Sequence, residues 1–186
     1  GLFAEVLLVR CPHLPIEEEG RLNDPRLREN FIERVFAYRR LKDLFAGAWN
    51  LGAVVRFHTA HKLVLLAHSP EAYRALGRLV AGGKSLGRAA FREAYEGGFM
   101  GALAVIATPR KHANVLVHIA GYFRGRLDDA SRQEMLAIIE DYRRGLLPLI
   151  VPITLVKHHV RVIGLEYLAD QIYLQPHPKE LMLRNH

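Results

Sequence analysis

Three times in this chain a short polar residue stands directly before a proline: Asp24-Pro25, Ser69-Pro70 and Thr108-Pro109. A side-chain oxygen at that place satisfies free N–H groups of a first helical turn, and proline, which has no N–H and a fixed φ, suits the first helical position. Each pair therefore starts a helix. From Asp24-Pro25 a long helix runs through Phe31, Val35, Tyr38 and Leu41 to about Ala46. Asn50 caps a second, which carries Val54, Phe57, His58, His61, Leu65 and His68. The third, from Ser69, stops at Gly82-Gly83, and a fourth spans roughly Leu86 to Ala107. A fifth runs from Thr108 to near Gly125 and a sixth from Asp128 or Asp129 to Gly145. Pro148 and Pro152 bracket the start of a seventh that ends near Ile163, and Tyr167 to Leu174 reads as an eighth. No alternating apolar and polar run is closed by a hairpin turn, so strands are not needed. The expected fold class is all-α, a single compact multi-helix domain of about seven to eight helices.

Gly97, Gly98 and Gly101 weaken the middle of the fourth helix, and close helix packing explains them better than phosphate binding, because no strand precedes them. The one clear linker is Cys11 to Asn23, with two prolines, three consecutive glutamates and a glycine. It separates residues 1–24, a short apolar helix with an acidic linker, from an all-α domain over residues 25–186. Gly1 in place of a methionine, with no basic leader or cleavage site after it, suggests a chain that starts inside a longer protein. At 186 residues and 50% hydrophobic, the chain can bury a self-sufficient core. No apolar run approaches the ~18–20 residues of a membrane span. A single cysteine, Cys11, excludes an internal disulfide framework and a zinc or iron–sulfur site ligated by cysteines of this chain alone. A cytoplasmic setting is the expectation.

The net charge of +7 is unevenly distributed. Residues 1–24 carry five acidic and two basic groups, whereas residues 25–186 hold 24 basic and 14 acidic, a net of +10. Between Arg56 and Arg126 eleven basic residues face only Glu71, Glu93 and Glu96, and five of the ten histidines fall in the same window. Such a field attracts polyanions, nucleic acid foremost.

The densest polar cluster is His58, His61, Lys62 and His68, whose spacing places them on one broad face of the second helix. A metal site there lacks the ligand pattern: the histidines are three apart with no neighbouring carboxylate, and no histidine has a glutamate three residues before it. A face of His and Lys suits an anion, and a polar interface between packed helices accounts for it equally well. A second cluster, Arg110, Lys111, His112 and Asn114, lies at a helix N-terminus, where a bound phosphate would compensate the added cations. The third joins Arg143 and Arg144 to Lys157, His158, His159 and Arg161. Cys11 reads as packing and Ser69 as a cap, and Glu140 and Asp141 diverge on their helix, so no triad or facing carboxylate pair is composed.

Several ungapped blocks resemble the YbgA-like bacterial family. They are Phe57-His58-x-x-His61-Lys62 through His68-Ser69-Pro70, Lys111-His112-Ala113-Asn114-Val115-Leu116, Gly121-Tyr122-Phe123, Glu140 to Gly145, Pro148 to Pro152, and Tyr173 to Met182. The resemblance covers about Arg28 to the C-terminus. Gly1-Leu2-Phe3 and Leu14 to Leu22 look like the junction found where this domain is fused behind a thiouracil-desulfidase-like (TudS-like) domain. The resemblance implies a partner in cis that removes sulfur from 4-thiouridine in tRNA with a 4Fe-4S cluster held by its own cysteines. This chain would then need no cofactor, would not be catalytic alone, and would bind tRNA or other structured RNA. Candidate RNA contacts are His58, His61, Lys62, His68, Arg110, Lys111, His112, Asn114, Arg143, Arg144, Lys157 and His158, with no catalytic or metal residue. The alternatives are a helical scaffold or protein-interaction module whose histidine face packs on a partner, and a metal or small-molecule enzyme built on His58, His61 and His68.

Overall fold

The structure, a computed structural model, describes residues 2–185, with side chains from Glu5 onward; the expectation attached to Gly1 lies outside them. Among the described residues there are ten α-helices and no strand. The short α1 (Leu2–Arg10) leads through the linker to a 3₁₀ turn at Glu19–Asn23. There Asp24 caps α2 (Pro25–Phe45), its Oδ1 accepting from the amides of Arg26 and Leu27 at 2.8 and 3.2 Å. Asn50 caps α3 (Leu51–Ala60) through the Ala53 amide, and α4 (Lys62–His68) follows at once. Ser69 caps α5 (Pro70–Ala81), and α6 (Arg88–Ala104) comes after a short turn. Thr108 caps α7 (Pro109–Gly121) and Asp128, rather than Asp129, caps α8 (Asp129–Arg143). The chain closes with α9 (Ile150–Ile163), the single-turn α10 (Glu166–Ala169) and 3₁₀ turns at Ile172–Leu174 and Lys179–Leu181. Among the described residues no helix is long and apolar enough to cross a membrane.

The core is continuous. Ala37, Leu41 and Phe45 face inward from α2, where it packs on α6. On α6, Phe91, Tyr95 and Phe99 recur every fourth residue, so their rings stack in a column at 6.0 and 6.2 Å. Of the three mid-helix glycines, Gly98 allows close packing, since a Cβ there would lie 2.9 Å from Leu76 of α5. Gly97 does so against His13 of the linker at 3.3 Å, whereas Gly101 faces open space. The other half of the core is built on α7, which packs on α4, α8 and α9.

Two expected helices differ from the sequence reading. The eighth shortens to α10 and a separate 3₁₀ turn, and Gln171 lies between them. The second is broken at His61, where the backbone turns to φ −95°, ψ 4°. In an unbroken helix the Leu63 amide would donate to the Thr59 carbonyl. Instead the Gln171 side chain stands between them: its Nε2 donates to Thr59 O at 2.9 Å and its Oε1 accepts from Leu63 N at 3.4 Å. Gln171 is buried, and both backbone groups are satisfied by one amide inserted into the ladder. Gln171→Met removes both partners, and a buried amide and carbonyl left unpaired each cost about 1–3 kcal/mol. The expected result is a urea midpoint lower by the equivalent of about 2 kcal/mol or more; an unchanged midpoint contradicts the wedge.

Candidate functional site

The helix breaks at His61, and of the expected cluster His58, His61 and His68 are buried while Lys62 is half-buried. The three histidines turn inward and take separate partners. His58 shares a 3.2 Å hydrogen bond with the Tyr95 hydroxyl, and its ring stacks on Tyr73 at 5.2 Å. His61 donates from Nδ1 to its own helix at Phe57 O, 2.8 Å away, which leaves Nε2 to accept from Arg40 Nε at 3.2 Å. His68 donates from Nδ1 to Val105 O at 2.6 Å and faces Glu33 Oε2 with Nε2 at 3.4 Å. His112 is buried as well, its Nδ1 3.0 Å from the Tyr173 hydroxyl.

Burial decides the charge of these rings. It pushes His61 down to about 3, further than its bond to the Phe57 carbonyl can restore. It pushes His112 down to about 3 too, helped by the nearby Arg184 charge. His58 is lowered by burial alone. Neutral and enclosed, His58, His61 and His112 are interior hydrogen-bonding groups, which is the packed-interface reading of the cluster.

Around them lies a set of charged groups that the sequence analysis did not single out. Arg184, almost fully buried near the C-terminus, donates from Nη1 to Tyr173 O at 2.7 Å and from Nε to Glu29 Oε1 at 3.2 Å. Glu33 lies 4.0 Å from the same guanidinium. Burial lifts Glu29 to about 7 despite Arg184. Burial also works to raise Glu33, but His68 and Arg184 outweigh it and hold that carboxyl well below the usual range. A cleft of about 60 Å³ opens onto Glu29, Asn30, Glu33, His68, His112 and Tyr142. A signal for the carboxylates was present: Glu29 and Glu33 continue, four residues at a time, the buried stripe of Ala37, Leu41 and Phe45. Among the described residues no group of three or more His, Cys, Asp and Glu is placed to hold a metal ion.

The remaining expected residues divide by exposure. Lys111 is occupied, its Nζ donating at 2.6 Å to His68 O and so capping the end of α4. Arg143 is paired with Glu140 at 2.6 and 2.7 Å, and Lys157 donates to Gln175 Oε1 at 3.0 Å. Arg110, Asn114, Arg144 and His158 are exposed. Lys62, half-buried, lies over the Tyr167 ring at 6.0 Å; Tyr167 stacks on Tyr122 at 5.4 Å, and His118 meets Tyr122 edge-on at 5.5 Å. Lys62 is close enough for its charge to lower His118, after burial. Arg110, Asn114, His118 and Gly121 follow helical spacing along the outer side of α7. Tyr142 lies 6.4 Å from His112, which brings the end of α8, with Arg144, beside the start of that same helix. One thiol, the half-buried Cys11, does not hold a 4Fe-4S cluster, so the residues present do not fit that cofactor.

The interior groups set the response to pH. His61 and His112, lowered in the folded protein, stabilise it fully above their unfolded value near 6.5, and that stability is lost as pH falls toward 3. Glu29, raised, does the reverse: its contribution is complete below about 4.5 and is lost as pH rises through 7. Each group changes stability by about 1.4 kcal/mol per pH unit within its window. Between pH 6.5 and 4.5 two histidines oppose one carboxyl, so acidification costs at least about 1.4 kcal/mol per unit. In Glu29→Gln the opposing share is gone, and urea titrations at pH 6.5 and 5.5 are expected to show the loss roughly doubled; equal losses in both proteins contradict the assignment.

No solved structure matches this chain. Residues 62–178 match the family model described as a protein of unknown function, DUF1722. The chain is 34% identical over 168 residues to the uncharacterized protein YbgA of Escherichia coli (strain K12), an alignment covering 88% of this chain and 98% of that relative. The matched region holds most of the resembling blocks, with the first beginning just before it and the last running just past it, and the chain belongs to the YbgA-like family that carries the DUF1722 domain.

Proposed function

We propose that this domain binds structured RNA, tRNA above all, through the surface formed by α7, Lys62 and Tyr167, and that it positions that RNA for a 4-thiouridine desulfidase-type domain preceding it in the chain. The observation that carries the reading is the juxtaposition of Lys62, His118, Tyr122 and Tyr167. Partly exposed aromatic rings offer faces on which unpaired bases stack, and the cations beside them meet phosphates. Arg110, Asn114 and Arg144 extend the polar surface along α7, where Arg110 to His118 span about 12 Å. The net charge of +7 supplies long-range attraction. In this reading His58, His61, His68 and His112 shape the scaffold and do not touch RNA.

The desulfidase partnership rests on the resemblance of residues 14–22 to a fusion junction and on α1, which leaves Val6, Leu8 and Val9 exposed, 81% for Val9. Apolar side chains left exposed in this way suit burial against another domain.

Filter or fluorescence binding of tRNA to the chain at low salt, followed by a salt series, tests the reading. Lys62→Glu and Arg110→Glu are each expected to weaken binding by about three- to tenfold and to reduce the slope of log K against log salt by about 1. Tyr167→Ala is expected to weaken binding about fivefold or more while leaving the slope unchanged, since stacking releases no counterions. Undetectable binding at low salt, or affinity indifferent to salt, removes the RNA reading and leaves the protein-interaction module.

A further inference from the structure

A large apolar groove of about 1060 Å³ runs between α9 and the C-terminal segment, but its unpaired polar atoms, on His177 and Arg184, are enclosed in the wall. The small cleft beside Glu29 is built the other way. It holds about 60 Å³, and polar side chains of α2, α7 and α8 line it. Pro109 and His112, from the first turn of the 13-residue α7, belong to the lining, with Ile106 and Ala107 just ahead of them. A helix N-terminus carries a partial positive charge, so this side of the cleft favours an anion.

Two nearly buried side chains call for the same class of ligand. His112 is 7% exposed and meets the Tyr173 hydroxyl with Nδ1 at 3.0 Å. Tyr173 is itself buried, and among the described residues that ring nitrogen is the sole hydrogen-bond partner of its hydroxyl, so the hydroxyl donates. The imidazole proton is then at Nε2, which makes no hydrogen bond among the described residues. Tyr142 is 6% exposed, and its hydroxyl proton likewise finds no acceptor among them. Neither atom is sealed in: the enclosed unpaired atoms of the described residues lie on Arg34, His58, Arg132, His177 and Arg184. The cleft wall thus presents two unmatched donors, one from α7 and one from α8. Their rings are 6.4 Å apart, so one small group can accept from both. Arg26 of α2 adds an exposed cation to the same lining.

We propose that this cleft binds a small free oxyanion of the phosphate type, held by His112 Nε2, Tyr142 Oη and Arg26. Donors converging from three helices suit a tetrahedral set of acceptor oxygens, and the bonds to an ionised acceptor are the strong kind. A cation would meet Arg26, a helix N-terminus and two donors that need acceptors. Of the two carboxyl groups in the lining, Glu33 is already matched, by His68 at 3.4 Å and by Arg184 at 4.0 Å. Glu29 is the one that must lose its charge. It is surrounded by Arg26 and Glu33 of its own helix, His68 of α4, His112 of α7, Tyr142 of α8 and Arg184 of the C-terminal segment. Burial has already raised it to about 7, and an anion beside it favours the protonated form further. Binding therefore takes up a proton at alkaline pH, and affinity falls by up to about tenfold per pH unit above 7. The site is separate from the Lys62–Tyr167 surface and holds whether or not that surface carries RNA.

Sulfate keeps one charge state between pH 6 and 8 and serves as the probe, with ionic strength held constant by chloride. Followed through the His112 ring resonances of the full chain, it is expected to give saturable shifts at pH 6, with a Kd below about 10 mM, and to bind about tenfold more weakly at pH 8. Glu29→Gln, which fixes a neutral side chain at that place, is expected to bind at both pH values as the unaltered chain does at pH 6. Tyr142→Phe removes one donor and is expected to weaken binding at pH 6 about fivefold or more while the other histidine resonances keep their positions. Absence of saturable shifts at pH 6 leaves the cleft to water and overturns the proposal, as does an unchanged pH dependence in Glu29→Gln. Transfer RNA is expected to leave the His112 resonances in place; displacement of sulfate by it assigns the site to a nucleic-acid phosphate and overturns the free ion.

Discussion

The amide of Gln171 stands where the Thr59–Leu63 hydrogen bond of a continuous helix would run, and much of the molecule follows from that substitution. It breaks the helix at His61 and fixes the C-terminal segment across α4, where His58, His61 and His68 are all buried. The same segment then delivers Tyr173 to His112 and Arg184 to Glu29 and Glu33. Residues more than a hundred positions apart are thereby joined into one polar interior, and α9 gains the second wall of its groove. The arrangement is high-stakes, because a buried polar network strengthens a fold only when its members are matched.

What could be read from the chain beforehand follows the range of the interaction responsible. Helix starts are local events, and Asp24, Asn50, Ser69, Thr108 and Asp128 form the caps that their sequence surroundings indicate. The break at His61 has no local cause. No proline or glycine stands there, and the residue that causes it is 112 positions from Thr59. The histidine face therefore looked coherent at helical spacing while its members were destined for different partners. Glu29 and Glu33 were overlooked for a related reason: they occupy the buried stripe of α2, but a carboxylate in such a stripe is explained only once Arg184 and His68 are seen opposite. Lys111 and Arg143, chosen as free cations, had neighbours able to take them, a carbonyl at the end of α4 and Glu140 one turn back.

These placements redistribute the charge that made nucleic acid the leading expectation. Part of it serves the fold: Arg40 and Arg184 are interior donors, and Lys111 caps a helix. The portion left on the surface is smaller and better defined, running along α7 from Arg110 to His118 and across to Lys62 and Tyr167. Neutral histidines with depressed pKa inside a helical domain act as hydrogen-bonding struts, and the aromatic groups suited to bases are the tyrosines outside them. The acid-sensitive interior and the exterior proposed to meet RNA thus draw on different residues of the same sequence blocks.

The separation of interior from surface is tested most directly by the histidine ring resonances of the folded chain as tRNA is added at neutral pH. The account predicts that His118, beside Lys62 and Tyr122, shifts with tRNA, while His58, His61, His68 and His112 stay where they are. Shifts confined to the buried four, with His118 unmoved, would contradict it.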